Sequence, residues 1–257
     1  MKNDIDVDSR ADGLVWITIN RPDKHNPLAR AVLDALAAAV RSTGQDPRTR
    51  LIVLRGAGDK YFAAGGDLVE LAQVRTPEQI DDMAGNATLA LDTIRDCEVP
   101  VIAYLNGDAI GGGAELASAC DMRLMASHAR IGFIQGRLGI SSAWGGGPDL
   151  CMLVGPARAM RMMSRCEMIG VQTALDWGLA ELEVRDGPQG EDIKAFLKPM
   201  LDRSRLVLQG IKQQTAAWRK GMGQPQRREV ERSHVQTTWA STEHWDAVER
   251  FLSKEKS

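Results

Sequence analysis

The apolar stretch Pro100-Val101-Ile102-Ala103-Tyr104-Leu105 leads through a glycine-rich turn into Gly111-Gly112-Gly113-Ala114-Glu115-Leu116. It reads as a buried strand, a tight turn and a helix of small residues. Working outward, strands and helices keep alternating. Upstream, Leu51-Ile52-Val53-Leu54 is short and wholly apolar, as in a strand covered on both faces. Gly13-Leu14-Val15-Trp16-Ile17-Thr18-Ile19-Asn20 is rich in β-branched and aromatic residues and predicts another strand, broken by Arg21-Pro22. Between these two, Val32, Leu33, Leu36, Ala37 and Val40 recur at helical spacing and predict an amphipathic helix over residues 29–42. The alternation points to a right-handed, parallel α/β architecture. Beyond about residue 155 apolar residues recur mainly at helical spacing, as in Trp245, Val248, Phe251 and Leu252. That pattern predicts a helical C-terminal region, with residues 221–225 as a hinge between helices.

Composition sets outer limits. The chain has 257 residues, enough for one large domain or one domain with a small appendage. Its hydrophobic share of 44% and charged share of 26% are ordinary for a globular protein. A net charge of −2 supplies no field for nucleic acid or an anionic membrane. The short basic pairs Arg219-Lys220 and Arg227-Arg228 form no stripe, and Glu229 and Glu231 follow the second, so neither partner is expected. Cys97, Cys120, Cys151 and Cys166 are scattered, without metal-ligand spacing, and read as free thiols rather than ligands. The polar opening Met1-Lys2-Asn3-Asp4 is no signal peptide, and no apolar run approaches the roughly 20 residues of a membrane span. A reducing cytoplasm is the expected location.

The glycines carry the chemistry. No cluster matches the G-x-G-x-x-G dinucleotide fingerprint, and no Gly-Lys-Ser/Thr makes a phosphate loop. Residues 111–113 follow a strand and open a helix, a place where backbone N–H groups stand at a positive helix end. Ala64-Gly65-Gly66-Asp67 offers a second small-residue turn before a helix-like stretch. Two N–H donors from two loops would make an oxyanion hole. Glu115 falls in the first turn of the same helix. His128 reads as a surface residue, and His234 and His244 as structural histidines of the helical region.

Together these residues resemble the crotonase superfamily, the enoyl-CoA hydratase/isomerase fold. The resemblance runs over nearly the whole chain, from Ile19-Asn20-Arg21-Pro22 and Asn26-Pro27-Leu28 to the last helix. It is strongest in residues 62–68, in Asn106-Gly107 with residues 111–116, and in Cys120-Asp121. Later marks are Leu138-Gly139 and Ala174 with Gly178-Leu179. It implies a ClpP/crotonase-like spiral of βαβ units over residues 1–195 and a helical trimerisation region over residues 196–257. The assembly implied is a homotrimer or a dimer of trimers. The activity implied is on acyl-CoA thioesters through an enolate, with no cofactor beyond the substrate's own coenzyme A and no metal. By position, the N–H groups of Gly66 and Gly112 would hold the thioester oxygen. Lys24, His25, Ala64, Asp67 and Leu68 would line the CoA groove, and Phe251 and Lys254 match positions that reach the CoA of a neighbouring subunit.

Two departures bear on the reaction. The paired-glutamate positions of a hydratase hold Glu115 and Gln135 here. An amide holds water but transfers no proton at neutral pH, and losing one general acid/base costs on the order of 10²–10⁴ in rate. The turn Ile140-Ser141-Ser142-Ala143-Trp144-Gly145-Gly146, with residues 119–125 and Trp239, resembles the ethylmalonyl-CoA decarboxylase branch. Glu115 and Gln135 with the two glycines are therefore the candidate catalytic residues, and Trp144 a substrate contact. The resemblance implies decarboxylation of a short 2-carboxyacyl-CoA, with Glu115 or a water it positions as proton source. The alternative is a hydratase or isomerase that works with Glu115 alone.

Overall fold

The computed structural model describes residues 3–254. An edge strand β1 (Ile5–Ser9) pairs antiparallel with β2 (Leu14–Ile19). Ile5 and Val7 alternate with Asp6 and Asp8, yet only Ile5 is half-buried, and the strand has no counterpart among those expected. Helix α1 (Arg30–Gln45) follows, burying Val32, Leu33, Leu36 and Val40, four of the five residues whose spacing predicts it.

Three turns of a spiral come next. In the first, β3 (Leu51–Gly56) runs into the short β4 (Tyr61–Ala63), then α2 (Leu68–Leu71) and α3 (Pro77–Arg95). In the second, β5 (Val101–Leu105) runs into β6 (Asp108–Ile110) and α4 (Gly112–Ala119). In the third, β7 (Met122–Ala126) runs into β8 (Arg130–Gly132) and, after a loop, α5 (Gly146–Val154). The first strand of each pair joins a six-stranded sheet, order β1-β2-β3-β5-β7-β10, and the second joins a four-stranded sheet, order β4-β6-β8-β9. Here β9 is Ile169–Gly170 and β10 is Leu182–Val184. All pairings are parallel except β1 with β2 and β8 with β9. Each βαβ unit thus carries an additional short strand. Three residues hold too little alternation to announce it.

The central strands are buried along their length, which explains their unbroken apolar runs. Two buried asparagines fix the loop between β3 and β4. Asn26 donates to Ala57 O (3.0 Å) and Tyr61 O (2.8 Å); Asn106 donates to Gly58 O (2.9 Å) and accepts from Gly56 N (2.8 Å). The backbone that continues to Gly66 is held from both sides.

Helices α6 (Pro156–Ser164) and α7 (Val171–Asp176) lead to β10. Helix α8 (Glu191–Leu201) spans the division expected at residue 195 and buries Ile193 and Leu197. On α9 (Arg205–Arg219), Lys212 bonds both Asp121 oxygens at 2.7 Å, and Arg219 donates to Ser118 O (2.8 Å) and Ala119 O (2.9 Å). A cation there satisfies the free carbonyls at the end of α4. Helix α10 (Gln224–Trp239) buries none of its residues, and α11 (Thr242–Lys254) closes the described chain. The break between α9 and α10 falls at residues 220–223, so the expected hinge at 221–225 runs two residues into α10. No helix of the described residues is long and apolar enough to cross a membrane.

Candidate active site

Three backbone segments meet at the start of α4. Gly111 takes φ +56°, a left-handed conformation open to glycine, and its N–H donates to Gly132 O at 2.9 Å. A Cβ on Gly113 would lie 2.1 Å from Ala63 O, so only glycine lets α4 press against the end of β4. Gly113→Ala is expected to destabilise the fold by about 1–3 kcal/mol, the scale for overpacking, read as a lower urea midpoint.

The 64–67 turn lies alongside. A Cβ on Gly65 would stand 3.3 Å from the Gly112 nitrogen, and Leu28 bridges to Gly66 through a 2.8 Å bond from its N–H to Gly65 O. Ala64 N donates to His25 O at 3.1 Å. Neither the Gly66 nor the Gly112 N–H has an acceptor among the described residues. Two free N–H groups on adjacent segments, one at a helix N-terminus, are equipped to receive an oxyanion.

Glu115 is 1% exposed. One carboxylate oxygen accepts from Gln135 Nε2 (2.8 Å) and Ala143 N (3.3 Å); the other accepts from Trp144 N (2.8 Å) and Gly146 N (3.1 Å). Those four donors match the roughly four lone-pair sites of an ionised carboxylate. Burial pushes its carboxyl above the usual range, and the bonds from Gly146, Trp144, Ala143 and Gln135 oppose that shift. A proton on either oxygen would face an N–H donor, so the geometry suits the ionised form. Gln135, half-buried at the start of a 3₁₀ turn, points its amide at Glu115. The two residues expected as partners are in direct contact.

Of the other expected site residues, Lys24, His25, Ala64, Asp67 and Leu68 cluster on one rim. Lys24 and His25 are exposed, and the His25 ring stands 4.4 Å from that of Tyr61. Asp67 caps α2 by accepting from Val69 N (3.1 Å) and faces Arg21 Nη1 at 3.5 Å. Leu68 is exposed. Trp144 is buried, its indole against Gly112 and Gly66. Phe251 is exposed on α11, and the Lys254 side chain lies outside the described residues. His234 bonds Gln213 Oε1 at 2.7 Å between α10 and α9, while His244 packs with Trp239 and Trp245. Burial pushes the Cys120 thiol up to about 12, far from a reactive thiolate.

One supporting pair has no sequence signal. Arg95 on α3 donates to Asp149 Oδ2 at 3.0 and 2.7 Å and reaches Trp144 O at 3.4 Å. Arg219 bonds the other Asp149 oxygen at 3.2 Å. The turn that holds Glu115 from inside is thus held from outside by Arg95. These residues stand 54 positions apart in sequence, and no spacing rule connects them.

A sequence model described as enoyl-CoA hydratase/isomerase matches residues 9–257. The chain belongs to the enoyl-CoA hydratase/isomerase family. It is 31% identical over 251 residues to a crotonyl-CoA hydratase from Syntrophomonas wolfei, covering 96% of this chain and 95% of the relative. It is 27% identical to an ethylmalonyl-CoA decarboxylase from Pongo abelii, over 95% of this chain and 81% of that one. The crystal structure of an enoyl-CoA hydratase from Bacillus anthracis superposes with a TM-score of 0.91 at 27% identity, covering 98% of this chain and 97% of the other. The family's crotonase fold, with a helical C-terminal region, is the fold of this chain.

Proposed function

We propose that this family member is an enolate-forming lyase that decarboxylates a 2-carboxyacyl-CoA of the methylmalonyl- or ethylmalonyl-CoA kind. The observation that carries this reading is the engagement of Glu115. Its lone pairs are all taken by N–H donors, and one of them is the amide that stands where hydration needs a second carboxylate. Decarboxylation needs neither a strong base nor a paired acid. The bond from Cα to the carboxylate breaks, its electron pair flows into the thioester carbonyl, and CO₂ departs. Charge arrives on the thioester oxygen between the Gly66 and Gly112 N–H groups, where each such donor is worth about 10²–10³ in rate. A water then gives Cα the one proton that completes the product, and the hydroxide left behind is taken up by CO₂ as bicarbonate. Glu115 and Gln135 serve by fixing the turn at residues 143–146, and the four donors spread the Glu115 charge that would otherwise repel the substrate carboxylate. None of these steps calls on a metal or redox cofactor.

The rim at residues 24–25 and 64–68 is suited to the CoA moiety. Phe251 and Lys254 would complete that groove from a second copy of the chain. Exposed Trp218, Trp239, Trp245, Phe251 and Leu252 on α9–α11 support a trimer or a dimer of trimers. Light scattering at micromolar concentration is expected to give three or six times the monomer mass; a monomer alone would count against it. Four free cysteines fit a reducing compartment such as the cytoplasm.

The likeness to the crotonyl-CoA hydratase favours a second reading, hydration with Glu115 as the only carboxylate. Separate incubation with methylmalonyl-CoA, ethylmalonyl-CoA and crotonyl-CoA, followed by mass analysis, separates the two. Loss of CO₂ from a 2-carboxyacyl-CoA, faster than water addition to crotonyl-CoA, is the expected result. The reverse order would install the second reading.

A further inference from the structure

Trp144 stands where an acyl group has to go. A Cβ on Gly112 would lie 2.2 Å from its Cζ3 and 2.5 Å from its Cη2, so the indole is packed directly against that glycine. A Cβ on Gly66 would lie 2.6 Å from Leu71 Cδ1 and 3.5 Å from the indole Cζ2. The ring therefore touches both glycines whose N–H groups are free, with Leu71 the tighter neighbour of Gly66. The same residue lines a cavity with an apolar wall of Leu28, Leu33, Leu71, Met83 and Ala87, whose other lining residues include Arg30, Asp67, Glu70 and Asp82. That cavity measures about 240 Å³, below the roughly 300–1,000 Å³ of small-molecule sites. The indole thus touches the oxyanion glycines and lines this mixed cavity.

The residue is also pinned. Its N–H is held by Glu115 Oε2 at 2.8 Å and its carbonyl by Arg95 Nη2 at 3.4 Å, so its backbone is fixed on both sides of Cα. Moving the indole by shifting its backbone would break the Glu115 and Arg95 bonds.

We propose that Trp144 sets the acyl length this site accepts: the indole occupies the volume that a long chain needs, and removing it joins the cavity, along its wall of Leu28, Leu33, Leu71, Met83 and Ala87, to the thioester position. The inference rests on the reading that Gly66 and Gly112 hold a thioester oxygen. It narrows the substrate to short acyl groups, where an indole-free site would take medium chains by burying their methylenes.

Saturated acyl-CoAs test this without turnover. Binding of butyryl-CoA and octanoyl-CoA is measured by calorimetry for wild type, Trp144→Phe and Trp144→Ala, with circular dichroism to confirm folding. Wild type is expected to bind butyryl-CoA at least 10-fold more tightly than octanoyl-CoA. In Trp144→Ala that preference is expected to vanish or invert. Trp144→Phe, which keeps a smaller ring in place, is expected to narrow it at least threefold, and decides the matter if the alanine variant does not fold. Equal binding of both ligands by wild type, or an unchanged ratio in the folded variants, would overturn the role of Trp144 while leaving the thioester site intact. Failure of wild type to bind either acyl-CoA would overturn the thioester reading itself, and this inference with it.

Discussion

Glu115→Gln is expected to slow turnover at least about 10²-fold and to lower the unfolding free energy by about 1–3 kcal/mol, although it changes one atom. The carboxylate accepts four N–H bonds and donates none. An amide in its place keeps one oxygen and turns the other acceptor into a donor. The least costly orientation puts its NH₂ on the side of Gln135 and Ala143, where Gln135 can flip its own amide and accept. The Ala143 N–H then loses its acceptor, a loss that costs about 1–3 kcal/mol. The turn at residues 143–146 loosens, and with it Trp144 and the start of α5. Turnover falls because a displacement of about 1 Å at a reacting group costs on the order of 10²-fold. Urea unfolding and steady-state rates measured on the same preparation check both halves. Unchanged stability would show that the carboxylate does not hold the turn, and slow turnover would then point back to proton transfer by Glu115.

Gln135→Glu is the second large effect. The Gln135 amide nitrogen lies 2.8 Å from a Glu115 oxygen, so the variant sets two carboxyl groups at hydrogen-bond distance. Like charges so close cannot both ionise, and the pair retains a shared proton at neutral pH. That proton gives the site a general acid it lacked. Hydration of crotonyl-CoA is expected to rise by about 10²–10⁴, the usual worth of one positioned acid/base. Decarboxylation is expected to fall, because the pair's single negative charge is no longer confined to the clamped Glu115 oxygens but is shared with position 135, nearer the substrate carboxylate. Assaying both reactions over a pH series checks this. A variant that gains no hydration would mean that the missing acid does not set the wild-type reaction.

Much of the fold was legible because burial and sequence pattern coincide. Residues 51–54 and 101–105 are buried on both faces of the large sheet and read as continuous apolar runs. Val32, Leu33, Leu36 and Val40 line the inward stripe of α1 at the spacing that predicted it. The glycine turns were legible for a related reason. Close backbone approach, as at Gly113, tolerates no side chain, and the residue type records it. The short strands β4, β6 and β8 were not legible, since three residues show no period. Nor was the clamp on Glu115. It depends on the turn at residues 143–146 folding back across 28 to 31 positions, and backbone N–H groups leave no mark in the residue types that carry them. The Arg95–Asp149 support was hidden likewise, because an arginine and an aspartate in two helices look like ordinary surface charges until the helices pack.

Decarboxylation in heavy water tests the central claim most directly. Ethylmalonyl-CoA and methylmalonyl-CoA are each supplied to the wild-type protein in D₂O, and the acyl-CoA product and released CO₂ are quantified together. The account predicts one CO₂ for each butyryl-CoA or propionyl-CoA formed, with one deuterium at C2 delivered as the enolate collapses. Both substrates recovered intact, while crotonyl-CoA is hydrated by the same preparation, would contradict it.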